Sequence, residues 1–332
     1  AVYGAAYLPH ATTRRPLGPS WLFFNLLVAS MALVVLARNG VLFLVAWEVM
    51  ALSSFFLVTF EDDKPSVREA GRLYLIATHV GTAFLVALFM ALAARTGSAD
   101  FDRWQETADS ASPAHAGLLF GLALVGFGTK AGLVPFHVWL PEAHPAAPSH
   151  VSAVMSGAMI KMGIYGLLRA LTFLGPPPPW WGATLLGLGV ASALVGVLFA
   201  LIQQDIKRLL AYSSVENVGL MAIGLGLGMI GRSYDMPALA ALGFSGALLH
   251  LLNHALFKGV LFLGAGAIAH ETGTAQIDRL GGLVKGMPIT GACVLAGSAA
   301  ITALPPFNGF AGEFLLYLAS FRGVMALHGA RG

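Results

Sequence analysis

Apolar positions in this chain run on for a whole membrane thickness at a time, separated by short polar loops. The runs lie at about 19–37, 40–60, 71–94, 116–140, 150–174, 180–203, 210–231, 238–269 and 288–321. A helix needs about 20 apolar residues to cross the hydrocarbon core. The pattern therefore predicts nine spans and an all-α fold, a polytopic transmembrane helix bundle. Residues 1–18, with Arg14 and Arg15, form a polar lead-in too mixed to span, and 61–69, 95–115, 175–179 and 232–237 read as connecting loops.

Two spans are interrupted. In GTKAGLVPFHVWLPEAHPAAP, residues 128–148, an apolar stretch carrying Lys130 meets Pro135 and Pro141; the ninth span meets Pro305-Pro306. Proline removes a backbone donor and clashes with the preceding turn. Broken helices at membrane depth are tolerated only inside protein or beside a water-filled cavity. Each break thus marks a candidate site.

Composition narrows the function. Of 332 residues, 57% are hydrophobic and 11% charged, which leaves no room for a large soluble domain, so function must sit inside the bundle. The net charge of +3 comes from basic residues scattered singly in loops, which excludes a nucleic-acid partner. Cys293, the one cysteine, excludes a disulfide framework, a zinc cluster and a cysteine-ligated iron–sulfur centre within the chain. No cofactor and no redox centre are expected here, so electrons, if involved, belong to another subunit. The chain starts at Ala1 without a signal pattern and reads as a fragment. Setting aside Lys130, Lys161 and Lys258, nine basic residues fall on the side of the lead-in and seven on the other. The excess places 61–69 and 204–208 in the cytoplasm.

The ionisable residues that stand out inside the spans are Glu48, His79, Lys130, Lys161, His250, His254, Lys258 and Glu313, with Glu216 near a helix end. A charge at membrane depth costs roughly 2.5–3.5 kcal/mol on insertion scales, so it is retained mainly where it pairs or lines a wet path. Glu48 has no charged neighbour in sequence and is expected to pair with Lys130. Moving such partners apart changes the lysine's affinity for a proton. His250, His254 and Lys258 recur every four residues and share one helix face. Histidine exchanges protons near neutral pH, which suits a relay between lysines.

Plainer readings stand beside these. A lysine near a span end ordinarily snorkels to the interface, and Lys161 can pair structurally. The two histidines resemble a metal pair, but no acidic third ligand shares their face and Lys258 repels a cation. His137, His144 and His150 read as hydrogen-bonding groups at a loop, Asp205 to Arg208 as a cytoplasmic anchor, and Glu216 as a helix-start residue complementing the dipole.

The two breaks echo each other. Leu133-Val134-Pro135-Phe136 and Leu304-Pro305-Pro306-Phe307 lie 171 residues apart, the same offset that separates His79 from His250. Such symmetry is a mark of transporters built from inverted repeats. It divides the chain into a first helical repeat of about five spans, 19–174, and a truncated second of about four, 175–332.

AWEVMALSSFFLV, GTKAGLVPFHVWLPEAH, DIKRLLAYSSVENVG, LLNHALFKGVLFLGAG and LPPFNGFAGEFLLY, in that order, resemble the antiporter-like membrane subunits shared by respiratory complex I, Mrp antiporters and membrane-bound hydrogenases. YSSVENVG and LPPFNGFAGE resemble the hydrogenase-4 and formate hydrogenlyase branch. The resemblance implies two inverted five-helix repeats with two broken helices, of which the spans here match family helices four to twelve. It implies a Glu–Lys pair at Glu48 and Lys130, connecting lysines at Lys161 and Lys258, central histidines at His250 and His254, and a terminal group at Glu313, where some relatives have lysine. It also implies a bacterial or archaeal inner membrane and partner subunits, both membrane and peripheral. The expected function is proton translocation driven by redox chemistry elsewhere; a sodium/proton antiporter subunit and an inert membrane anchor are the alternatives.

Overall fold

The computed structural model describes residues 17–329, so residues 1–16 of the lead-in, including Arg14 and Arg15, lie outside the described residues. The long helices are α1 (Leu17–Leu36), α2 (Gly40–Val58), α3 (Pro65–Thr96), α5 (Pro113–Ala131), α7 (Ser149–Leu171), α8 (Pro179–Leu201), α9 (Ile206–Ser233), α10 (Pro237–Thr272) and α12 (Asn308–Gly329). Shorter ones are α4 (Phe101–Glu106), α6 (Leu140–Ala146) and α11 (Pro288–Ile301). Among the described residues, eight helices are long and apolar enough to cross a membrane. The expected ninth span is instead two pieces, α11 and α12, because the second break stops α11 after 14 residues.

Both breaks are built the same way. α5 ends at Ala131, where Gly132 turns left-handed (φ 81°) and Leu133 N–H donates back to Gly128 O at 3.0 Å. α11 ends at Ile301, where Ala303 turns left-handed (φ 52°) and Leu304 N–H donates to Ala299 O at 3.1 Å. Each is a left-handed helix C-cap with a six-to-one hydrogen bond, followed by proline. The prolines therefore lie just beyond helices that the caps have already ended.

The loops repeat too. Asn39 caps α2 by accepting from Val41 N and Leu42 N, and Asp205 caps α9 by accepting from Lys207 N and Arg208 N. Gly97 ends α3 at φ 69° and Gly273 ends α10 at φ 73°. Ala99 O then accepts from Gly40 N at 2.8 Å, and Ala275 O from Ile206 N at 3.0 Å. Phe101 N and Ile277 N close the two loops on Arg38 O and Gln204 O.

Small residues set the helix spacing. A Cβ on Gly163 of α7 would lie 2.5 Å from Phe127 O of α5, so the lysine-bearing helices α5 and α7 meet backbone to backbone. A Cβ on Gly189 of α8 would lie 2.7 Å from Ile223 N of α9. Without a strong hydrophobic drive in lipid, such close approach supplies the packing that holds helices together. Much of the outer surface of α1, α2, α3, α8 and α12 carries exposed leucine, valine and phenylalanine, as a bilayer-facing surface should.

Candidate functional site

Five of the expected residues, Lys130, Lys161, His250, His254 and Lys258, are at most 3% exposed, which removes snorkelling as their role. Lys130 ends α5 beside the first break. Its Nζ donates to Tyr74 Oη of α3 at 3.3 Å and lies 5.7 Å from the Trp47 ring centroid. Ser54 Oγ donates to Met50 O at 2.7 Å and contacts Tyr74 Oη, so the tyrosine proton points to Ser54. The chain Lys130, Tyr74, Ser54 is directed, with the lysine as donor. Tyr74 and Ser54 carry no charge, and sequence reasoning passed over both.

Glu48 makes no direct ion pair with Lys130, although its charge still reaches the lysine. Its Oε2 lies 3.5 Å from His79 Nε2, with the side chains 30% and 48% exposed, and Oε1 is buried without a hydrogen bond. His79 is one helix across and its Nδ1 is held by Leu75 O at 2.9 Å. Trp47 and Tyr74 take the space around the lysine, so the carboxylate turns outward.

Lys161 sits where α7 widens. Ile160 N–H reaches back to Met155 O at 3.1 Å, an i to i+5 turn that is one residue looser than an α-helical one. Such bulges free carbonyls and favour functional sites. The freed Ser156 O accepts from Lys161 Nζ, whose other contact is His254 Nδ1 of α10. A shared proton has two homes there: ammonium donating to a neutral imidazole, or imidazolium donating to a neutral amine.

From Ser156 the network runs on. Ser156 Oγ is 2.9 Å from Ser214 Oγ, and Ser214 donates to Leu210 O at 2.9 Å, so Ser156 is the donor of the first bond. Leu210 O also accepts from Lys258 Nζ at 2.8 Å. Lys161 and Lys258 are thus each held on a backbone carbonyl, of Ser156 and of Leu210, and the hydroxyl bond from Ser156 to Ser214 ties α7 to α9 between them. His250 Nε2 is 2.9 Å from Asn217 Oδ1, while Asn217 Nδ2 donates to Ser213 O, which makes Nε2 the protonated nitrogen of a neutral His250.

The second break is fastened to this helix. Asn253 Nδ2 donates to Asn308 O at 2.7 Å, and Asn308 Nδ2 to Asn253 Oδ1 at 3.2 Å. Gly312 lets α12 approach, since a Cβ there would lie 3.0 Å from His250 Cα. Glu313 follows, half-buried, accepting from Tyr317 Oη at 3.1 Å. Glu216 lies well inside α9, which begins at Ile206, so it is not the helix-start residue expected. His144 is not a loop hydrogen bonder either: it is fully buried in α6 and neither ring nitrogen has a hydrogen-bond partner. Among the described residues no group of three or more His, Cys, Asp or Glu is placed to hold a metal ion.

A helical bundle of eight apolar, membrane-length helices among the described residues, with two breaks and buried lysines and histidines, defines a multi-pass membrane protein. Residues 37–328 match the family described as NADH:quinone oxidoreductase/Mrp antiporter, transmembrane, and the chain belongs to that family. It is 48% identical over 302 residues to hydrogenase-4 component B of Escherichia coli strain K12, covering 90% of this chain and 44% of that protein. It is 40% identical to formate hydrogenlyase subunit 3 of the same organism, covering 90% and 48%. The chain therefore spans less than half the length of these two relatives. The structure of an Mrp complex from Dietzia sp. DQ12-45-1b matches with a TM-score of 0.82 at 33% identity, over 91% of this chain and 32% of that one. A membrane-bound sulfane sulfur reductase, an archaeal respiratory membrane complex, matches with a TM-score of 0.82 at 31% identity, over 96% and 52%.

Proposed function

We propose that this chain is the core of a proton-translocating membrane subunit of an energy-converting redox complex of the hydrogenase-4 or formate hydrogenlyase type. The observation that carries the reading is the direct contact of buried Lys161 with buried His254 across α7 and α10, with a second buried lysine, Lys258, held on Leu210 O of α9 one helical turn further along α10. Burying such groups is expensive, and an inert anchor has no use for them. Protons pass from the cytoplasmic side to Lys130, then to Lys161 and the histidines, to Lys258 and out by Glu313; Glu48, His79 and Glu216 bias the charge along the line. No cofactor is required of this chain, and the driving redox chemistry belongs to partner subunits. A half-exposed Glu48 and His79 in the middle of two apolar spans suit a face covered by another membrane subunit rather than by lipid.

The matching caps, loops and breaks support two repeats, 19–174 and 175–332. Four crossings, α3, α5, α7 and α8, lie between α2 and α9, which gives the second repeat the opposite sense. The similarity to bacterial and archaeal proteins supports a bacterial or archaeal inner membrane as its location.

A secondary sodium/proton antiporter is the second reading, favoured by the Mrp likeness. A sodium ion needs several oxygen ligands, and the Asn253 carboxamide oxygen beside the histidines already accepts from Asn308. The test is proton uptake by inverted vesicles holding the full-length protein in its complex, with and without sodium. Uptake that needs the electron donor and ignores sodium supports the redox reading; strict dependence on sodium replaces it with the antiporter.

A further inference from the structure

The route above leaves a gap between Lys258 and Glu313. Gly312 of α12 packs on α10, where its Cβ would lie 3.0 Å from His250 Cα, so Glu313 stands near the level of His250. Lys258 lies two turns further along α10, about 11 Å away at 5.4 Å per turn. The α10 groups in between are occupied. His250 Nε2–H is spent on Asn217 Oδ1 at 2.9 Å, an amide oxygen that hands no proton on. Asn253 is locked with Asn308 in reciprocal amide bonds, and His254 Nδ1 faces Lys161. None of the three carries a proton from Lys258 to α12.

The missing group stands on α9. Lys258 Nζ donates to Leu210 O of that helix at 2.8 Å. Glu216 follows Leu210 by less than two turns, and helical side chains lean toward the N-terminus, which tilts its carboxylate back toward the lysine. One turn beyond Glu313, α12 meets α9 closely: a Cβ on Gly224 would lie 2.6 Å from Leu316 Cδ2. Glu216 therefore sits in height between Lys258 and Glu313, half-buried, with Gly196 of α8 pressed on its backbone. It is the acid whose charge reaches Lys258, and the charges that reach it are those of Lys258 and Glu313. A fixed counter-ion gains nothing from a second carboxylate nearby, since like charges oppose each other's ionisation. Two acids in reach of each other and of one lysine suit the passing of a proton.

We propose that Glu216 is the proton carrier between Lys258 and Glu313. The Lys258 ammonium gives a proton to the Glu216 carboxylate, leaving a neutral amine and a neutral acid. The acid then passes that proton to the Glu313 carboxylate and is anionic again. The proposal rests on the proton-translocating reading above, and it gives Glu216 a transfer step in addition to its charge.

The test uses full-length protein in its complex, in inverted vesicles energised with the electron donor. Proton uptake per turnover is compared for wild type, Glu216→Gln, Glu216→Asp, Glu216→His and Lys130→Ala at equal amounts of assembled complex. Glutamine keeps the size but neither charge nor proton binding, aspartate keeps both, and histidine binds a proton without supplying a negative charge. A fall of about tenfold or more in Glu216→Gln is the expected result, with uptake largely restored in Glu216→Asp and partly in Glu216→His. Uptake in Glu216→His no higher than in Glu216→Gln, with Glu216→Asp active, makes the residue a fixed counter-ion of Lys258 and overturns the carrier. Wild-type uptake in Glu216→Gln, with Lys130→Ala inactive, removes Glu216 from the route and leaves the general reading standing. If Lys130→Ala pumps normally too, the general reading falls as well. Should Glu216→His fail to assemble, infrared difference spectra decide: a protonated-carboxyl band that forms in turnover and is missing from Glu216→Gln supports the carrier, and a band unchanged by the substitution overturns it.

Discussion

Lys161 and His254, 93 residues apart in sequence, share one hydrogen bond in the middle of the bundle. Neither side chain reaches solvent, so whatever the lysine loses the histidine is placed to receive. His254→Leu leaves the ammonium with Ser156 O alone. A hydrogen bond to a charged group contributes about 1.5–3 kcal/mol, and at about 1.4 kcal/mol per factor of ten the substitution should slow proton uptake roughly ten- to a hundredfold. Uptake within a factor of two of wild type, measured on assembled complex, would remove His254 from the route.

Tyr74 gives Lys130 its acceptor. Tyr74→Phe deletes the oxygen that lies 3.3 Å from Nζ and the bond to Ser54 while keeping the ring against Trp139. The loss of a buried acceptor for a cation is expected to cost about 1–3 kcal/mol and to lower uptake by about tenfold without affecting assembly. The same variant in a Lys130→Ala background should add little, because both remove one interaction; additive losses would contradict the pairing.

Ser192 of α8 holds the first break. Its Oγ accepts from Val134 N–H at 3.0 Å, the amide just before Pro135, and donates to Leu188 O. Ser192→Ala orphans a backbone donor at membrane depth, which should destabilise by about 1–3 kcal/mol and lower the unfolding temperature of the detergent-solubilised complex. Ser192→Thr should restore most of the loss. An unchanged unfolding temperature for the alanine variant would mean that the break does not depend on α8.

Asn253 and Asn308 clasp the second break to the histidine helix through reciprocal amide bonds. Asn253→Ala and Asn308→Ala, alone and together, form a double-mutant cycle. Groups in direct contact couple by about 0.5–3 kcal/mol, so the double variant should cost less than the sum of the singles. Strict additivity in unfolding measurements would show that the clasp is not a unit.

The spans and the buried cations were legible because an apolar run of membrane length is unmistakable, and a lysine within it has few ordinary explanations. Partners were not. Glu48 meets His79 because α2 packs beside α3, while Trp47 and Tyr74 crowd the lysine, a geometry that no local pattern encodes. Glu216 was misplaced because Asp205 caps α9 at Ile206, several residues before the apolar run begins. His144 resembled a loop residue since two prolines flank it, yet the chain forms a short buried helix there. One signal was present and unused: Thr96-Gly97-Ser98-Ala99 and Thr272-Gly273-Thr274-Ala275 are near-identical, and they form the two matching loops. That pair supports the proposed internal repeat more sharply than the two proline breaks do.

The central claim is that protons cross this bundle through its buried lysines, and Lys130→Ala tests it most directly. Inverted vesicles carrying the full-length protein in its complex are energised with the electron donor, and proton uptake is compared between wild type and variant at equal amounts of assembled complex. Abolished uptake in the variant, with sodium irrelevant to the wild type, is the predicted result. Undiminished uptake without Lys130 would contradict the account and leave the bundle a membrane anchor.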